Sequence, residues 1–257
     1  MEQIFLKACA KLNLFLDITG KCENGYHLIK SVMQSVDIFD RVSVKKSGEI
    51  SVKCSESALD GENNLAHKAA ALFFGQTGIA GGAEIYIEKR IPMQAGMAGG
   101  SADAAAVLYG LNRLYEAKLS AEELCAMGAK LGADLPFCLC GGTMLCEGIG
   151  ERLSPLPELS DCFFVIVKPK IGMSTAESYR IYDEHEAAGL EHGDFSAMST
   201  ALEAENIQNV GKALYNVLEC TVPDSVLKIK SALLKVGAEG ALMTGSGTAV
   251  FGIFQSI

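Results

Sequence analysis

The sequence has no C-x-x-C pair, no cluster of lysine and arginine and no long apolar run, and each lack removes a class of function. Without C-x-x-C spacing among its nine cysteines, metal and disulfide frameworks are disfavoured; Cys138 and Cys140 come closest, followed by Cys146. The cysteines therefore read as reduced, mostly buried residues of a cytoplasmic protein. A net charge of −9 with scattered basic residues leaves no footprint for nucleic acid. An anionic substrate must then be met by a local electropositive site. The apolar start is interrupted by Glu2, Lys7, Lys11 and Asp17, which is not the pattern of a signal peptide. The longest aliphatic-aromatic run, at 162–167, is far too short to span a bilayer. Internal repeats and low-complexity tracts are also missing.

What is present is ample core material. The 257 residues are 49% hydrophobic, enough for one large domain or two modest ones sharing a cleft. Leu12, Leu14, Leu16 and Ile18 alternate with Asn13, Phe15 and Asp17, the period of a strand that puts Lys11, Asn13 and Asp17 on one face. A glycine-marked turn follows and exposes Tyr26 and His27. The pattern around Val42, Val44, Ile50, Val52 and Cys54 predicts a hairpin. A helix is expected from Asn63-Asn64 to Gly75, a strand at 84–88, and a helix with Val107, Leu108, Leu111, Leu114 and Tyr115 on one stripe. Gly110 inside that helix implies close packing. Ser120 and Glu123 form a capping box with Leu119 and Leu124 as its staple, and Gly132 is the expected C-terminal cap. Composition changes around the S-P-L-P segment at 154–157, so the domains are placed at 1–150 and 151–257. The second half reads as a strand at 163–167, a helix from Ser174, an irregular acidic stretch, helices near 205–218 and 224–236, and strands around a T-G-S-G turn at 244–247. This mixture argues for an α+β class.

The stretch at 92–108, P-M-Q-A-G-M-A-G-G-S-A-D-A-A-A-V-L, carries the strongest chemical signal. Gly96, Gly99 and Gly100 let the backbone approach a ligand closely. The helix expected to begin at Ser101 turns unpaired amides into that space, a site for phosphate. No lysine precedes the serine, so this is not the G-x-x-x-x-G-K-[ST] loop. Small alanines on the first turns leave room for a nucleotide.

Taken together, these segments resemble the galactokinase, homoserine kinase, mevalonate kinase and phosphomevalonate kinase (GHMP) superfamily. Residues 92–106 are similar to its second signature, and Thr244-Gly245-Ser246-Gly247 to its third. The opening A-K-L-N-L-F-L-D-I-T-G-K-C-E-N-G-Y-H resembles the family branch that phosphorylates a cytidine diphosphate-linked alcohol for isoprenoid biosynthesis. D-R-V at 40–42, E-N-N-L at 62–65, L-G-A-D-L-P-F at 131–137 and G-x-G-E-R-L at 148–153 agree in order. The resemblance implies a two-domain α+β fold with the active site in the cleft between the domains. It implies a cytoplasmic ATP-dependent kinase using Mg²⁺, monomeric or homodimeric, with no nucleic-acid or membrane partner. A homoserine- or mevalonate-type kinase and an inactive nucleotide-binding module are the alternatives. The family continues past the last strand with a further helix and strand, whereas this sequence stops at Ile257.

Residue by residue, the resemblance makes Lys11 and Asp134 the catalytic pair, the carboxylate receiving the hydroxyl proton and the ammonium orienting it. Tyr26 and His27 match the cytidine-binding positions, with Asn13, Thr175 and Tyr179 as further substrate contacts. The S-T-A-E-S-Y segment around Thr175 equally reads as a helix capping box. Pro92, Ala95, Gly96, Met97, Ala98, Gly99, Gly100 and Ser101 would hold ATP phosphates, with the Ser101 hydroxyl near the metal. Asn64 is open between an adenine contact and a helix N-cap. Asp103 is open between the metal and the helix dipole, and is left out of the metal site.

Overall fold

The strand expected from alternation at 12–18 is the middle of a longer one. In the computed structural model, which describes residues 1–186 and 189–255, β1 runs over Gln3–Lys21. Both of its faces are covered in the middle, so Lys11, Asn13 and Asp17 are buried along with the leucines. Next come β2 (His27–Ser47), β3 (Ser51–Cys54), α1 (Leu65–Thr77) and β4 (Gly82–Glu88). After β4 the chain forms α2 (Gly99–Leu114), α3 (Ala121–Ala129), α4 (Leu135–Cys140), β5 (Thr143–Gly148) and β6 (Arg152–Pro155). Then follow β7 (Phe163–Val167), α5 (Thr175–Glu186), α6 (Phe195–Glu203), α7 (Ile207–Ala213), β8 (Tyr215–Asn216), α8 (Asp224–Lys235), β9 (Gly240–Met243) and β10 (Val250–Phe254). The class is α+β, and no helix among the described residues is long and apolar enough to cross a membrane.

The chain divides into two interleaved units. The first comprises Met1–Lys11, Ser35–Pro92 and Ala98–Gly141. Its strands lie in the order β3-β4-β2-β1, with Arg41–Ser47 of β2 antiparallel to β4 and β3 parallel to β4. The expected hairpin of β2 with β3 is therefore corrected, because β4 lies between them. Period-two alternation marks a strand and its buried face but not its neighbour. The insertion depends on Gly82, where a Cβ would lie 2.4 Å from the Glu49 backbone carbonyl carbon.

In the same unit, α1 packs along α2, and α4 packs against α2 and α3. Gly110 is tightly enclosed as expected, its Cβ position 2.9 Å from a Leu6 methyl. Two boundaries differ from expectation. Helix α2 starts at Gly99 rather than Ser101, and α3 ends at Ala129, with Gly132 outside the left-handed region that a glycine cap needs. The amides of Leu131 and Gly132 instead both bond the Gly128 carbonyl.

The second unit comprises Leu12–Gln34, Met93–Met97 and Gly142–Ile257. Its main sheet runs β6-β5-β2-β1-β8, and a separate sheet runs β7-β10-β9, all antiparallel. Leu16, Ile18, Ile29, Tyr182, Leu218, Val226 and Met243 belong to its core. The expected helix at 205–218 is broken: α7 ends at Ala213 and β8 pairs Tyr215 and Asn216 with Phe15 and Leu16 of β1. The acidic stretch read as irregular contains α6, capped by the Asp194 carboxylate; its residues 187–188 lie outside the described residues, as does Ile257.

The cysteines are all free but less buried than expected. Cys54 and Cys146 are buried, Cys140 is exposed and the rest are half-buried. Cys140 has its sulfur 3.6 Å from that of Cys125.

The capping box is realised in full. Ser120 Oγ accepts from the Glu123 amide at 3.2 Å, and Glu123 Oε2 accepts from the Ser120 amide at 2.7 Å. Ser120→Ala is expected to lower unfolding free energy by about 1 kcal/mol in urea titration. An unchanged midpoint would mean that α3 does not depend on its cap.

Candidate active site

Between β4 and α2 the chain passes through the glycine stretch, and its glycines divide by what surrounds them. Gly96 has φ +74°, and a Cβ there would lie 2.1 Å from the Thr244 carbonyl oxygen. The Ala249 amide also donates to the Ala95 carbonyl at 3.3 Å, while Ala95 and Met97 are buried and Pro92 is half-buried. Ala98 is the N-cap of α2 in a left-handed conformation and offers no side-chain bond to the helix amides. The first amides of this 16-residue helix are thus left uncapped by a side chain. A Cβ on Gly99 would meet the Ile91 side chain at 3.1 Å, whereas one on Gly100 would meet nothing within 4 Å. Gly100 is the exposed, open position of the turn.

Ser101 is half-buried on that first turn, 4.0 Å from the Cβ position of Gly132. The link after α3 therefore delivers Asp134 to the same neighbourhood. Asp134 is the N-cap residue of α4, yet its carboxylate makes no bond to the helix amides. Lys11 is 4% exposed on β1. Both act electrostatically on one half-buried thiol: desolvation pushes Cys138 up, Asp134 raises it further and Lys11 pulls it down. Lys11 and Asp134 thus both act on the Cys138 thiol, and Ser101 lies beside the link that leads to Asp134, all in the first unit.

A buried charge cluster lies beside them. The Lys89 ammonium donates to Asp103 Oδ2 at 2.6 Å and also to Asp40. Asp40 in turn accepts from the amides of Arg90 and Ile91, the latter at 2.8 Å. Two carboxylates thus tie β2, the end of β4 and the start of α2 around one ammonium, with one negative charge in surplus. Asp103 Oδ1 is buried without a hydrogen-bond partner. Burial pushes the Asp103 carboxyl up to about 7, against the pull of Lys89. Sequence reading touches Asp40 only as part of the D-R-V match and Lys89 not at all, since each looks like one more strand-end charge.

In the second unit, Thr244 is a hub. Its hydroxyl accepts from the Asn13 amide at 2.9 Å and faces Asn13 Oδ1 and the Gly96 carbonyl. Asn13 also donates to Ser31 Oγ at 2.8 Å. Asn216, missed in the sequence, donates to the carbonyls of Met243 at 2.8 Å and Gly245 at 2.9 Å, holding the turn from its other side. Its only sequence signal is an asparagine inside what reads as a helix. The hydroxyl of Thr175 lies 3.0 Å from that of Ser246.

Tyr26 is 60% exposed in the turn before β2. His27 begins that strand with its ring centroid 4.8 Å from Tyr179, and its Nε2 lies 2.6 Å from Asp183 Oδ1. His27 and Tyr179 are brought together. Asn64 serves as the cap of α1: its Oδ1 accepts from the Ala66 amide at 2.8 Å, and its Nδ2 donates to the Leu59 carbonyl at 2.8 Å. Among the described residues no three histidine, cysteine or acidic side chains converge in a way that could hold a metal ion.

Known proteins are similar to this chain in sequence and in fold. The family described as GHMP kinases N terminal domain matches residues 64–142, and GHMP kinases C terminal matches 198–256. A 4-diphosphocytidyl-2-C-methyl-D-erythritol kinase of Clostridium botulinum (strain Eklund 17B / Type B) is 42% identical, covering 98% of this chain and 91% of the relative. The same-named kinase of Carboxydothermus hydrogenoformans is 44% identical, covering 97% of this chain and 88% of its own. A crystal structure of 4-(cytidine 5'-diphospho)-2C-methyl-D-erythritol kinase superposes with a TM-score of 0.82 at 32% identity, covering 98% of this chain and 91% of that one.

The Asp103 environment gives a pH signature. An acid whose folded value lies above its unfolded value of about 3.9 favours folding while protonated and loses that advantage as pH rises through about 7. Asp103→Asn keeps the shape and removes the surplus charge. Its stability relative to the wild type should therefore rise between about pH 4 and pH 7 in paired thermal melts and level off above that. A difference that is flat with pH would show that Lys89 keeps Asp103 ionised throughout.

Proposed function

The chain belongs to the GHMP kinase family, and we propose that it transfers the γ-phosphoryl group of ATP to the 2-hydroxyl of 4-diphosphocytidyl-2-C-methyl-D-erythritol. The observation that supports the kinase chemistry is that Lys11 and Asp134 both act on the half-buried Cys138 thiol, with Ser101 on the uncapped first turn of α2 beside Gly132. The cytidyl acceptor is supported by relatives of that name at 42–44% identity and by the His27–Tyr179 ring pair.

In this reading the amides from Ala95 to Ser101 hold the phosphates, and the space over Gly100 admits them. Asp134 receives the proton of the acceptor hydroxyl as that oxygen bonds to phosphorus and the bond to ADP breaks. A carboxylate spared from helix capping is available for this. Lys11 holds Asp134 in place and offsets charge developing on the transferring group. The donor set suits Mg²⁺, which takes one or two protein oxygens and completes its shell from phosphates and water. Ser101 would supply the protein oxygen, and the bound ion would offset charge on the phosphates. Asp103 is committed to Lys89 instead.

Tyr26 and Tyr179 supply aromatic faces for the base and His27 its polar edge. Asn13 and Thr175 sit at the acceptor side; Asn13 is already bonded to Thr244 and Ser31, so its contribution is to shape that wall. Asn64 acts through α1, whose start it caps. We place the reaction in the cytoplasm, where nine free cysteines stay reduced.

Asp134→Asn tests the assignment. Turnover should fall by about 10²–10⁴, the usual worth of a general base, with ATP affinity nearly unchanged. Steady-state assays with ATP and the cytidyl alcohol, beside homoserine and mevalonate, read both claims. Near-normal turnover of the variant removes Asp134 from proton transfer. Phosphorylation of a small alcohol in preference to the cytidyl one overturns the substrate.

A further inference from the structure

His27 is held by more than its own strand. Its Nε2 lies 2.6 Å from Asp183 Oδ1 on α5, and the other carboxylate oxygen accepts from the Lys21 ammonium at 2.7 Å. Lys21 first, and then His27, hold the Asp183 carboxyl below the usual carboxylate range. An ionised carboxylate can only accept, so the proton of this bond sits on His27 Nε2. In its neutral form the imidazole then carries its lone pair on Nδ1. Tyr179 lies across the ring at 32° and Tyr182 meets it edge-on at 5.8 Å and 87°. Tyr182 is itself buried, its hydroxyl donating to Glu186 at 2.8 Å. With its side chain 10% exposed and its far nitrogen tied, the ring has one orientation and one tautomer.

An acceptor nitrogen of fixed direction is a filter for bases. It pairs with the exocyclic amine of cytosine, and opposes the carbonyl oxygen that uracil presents at the same place. We infer that Asp183 is a specificity-determining positioning residue, which holds His27 as the Nε2–H tautomer so that Nδ1 selects an amino-bearing pyrimidine over a carbonyl-bearing one. The inference rests on the cytidyl reading of the substrate. Lys21 serves the same end by keeping Asp183 ionised and turned toward the ring.

Two measurements on the full chain test it. Nitrogen-15 NMR of the histidine side chains in the free enzyme should show His27 as Nε2–H, and Asp183→Ala should abolish that preference. The ratio of kcat/KM for the cytidyl substrate to that for its uridyl analogue should fall several-fold, up to about tenfold, in Asp183→Ala, the worth of one hydrogen bond. Asp183→Asn, which keeps an oxygen toward Nε2, should retain most of the ratio. In a His27→Ala background, Asp183→Ala should add no further loss of selectivity. ATP affinity and melting temperature near wild type verify that the variants are folded. A ratio unmoved by Asp183→Ala, or equal losses for both substrates, overturns the inference while leaving the cytidyl reading intact. A wild type with no cytidyl preference overturns both, whatever the tautomer.

Discussion

The backbone of Gly96 runs so close to the Thr244 carbonyl that no side chain fits between them. Thr244 is in turn bonded to Asn13 on β1, and its turn is held from the other side by Asn216 on β8. The buried hydroxyl and amide work as a satisfied network, in which loss of one member leaves others unpaired in a low-dielectric interior. Asn13 thereby ties this turn to β1, the strand that also carries Lys11.

A chain with a net charge of −9 has to concentrate positive potential where an anionic nucleotide would lie. Lys11, buried near Asp134 in the first unit, can serve this, whereas Lys89 is outnumbered by Asp40 and Asp103. The two lysines differ in purpose. Asp134 makes no bond to the helix it precedes, while Asp40 is saturated by two amides and an ammonium. A saturated carboxylate fixes geometry, whereas one spared from structure can take a proton. The same contrast separates Asp183, which spends both oxygens on Lys21 and His27, from a group that would itself touch the reacting atoms.

How much of this is legible in the sequence follows from how local each feature is. The Ser120–Glu123 box, the enclosed Gly110 and the start of α1 at Asn64 depend on residues three or four apart or on one helix face, and all are found. The overall α+β class and the family are legible because several motifs recur in order. Strand partners are not, and β4 displaces β3 from β2 for reasons that alternation does not encode. Asp40 and Lys89 are 49 positions apart and Lys21 and Asp183 are 162 apart, so no window of sequence shows their meeting. Helix α4, six residues long, is too short for periodicity, although it gives Asp134 its setting.

In the proposed function two nearby glycines have separate duties, Gly96 for packing and Gly100 for the phosphates. Gly96→Ala and Gly100→Ala compared by thermal unfolding with and without ATP–Mg²⁺ test it most directly. Gly96→Ala should melt well below the wild type, because its Cβ would overlap the Thr244 carbonyl in a left-handed backbone. Gly100→Ala should melt at or above the wild type, since alanine favours a helix by up to about 1 kcal/mol over glycine, yet gain much less from ATP. A Gly100→Ala protein protected by ATP as fully as the wild type would contradict the account.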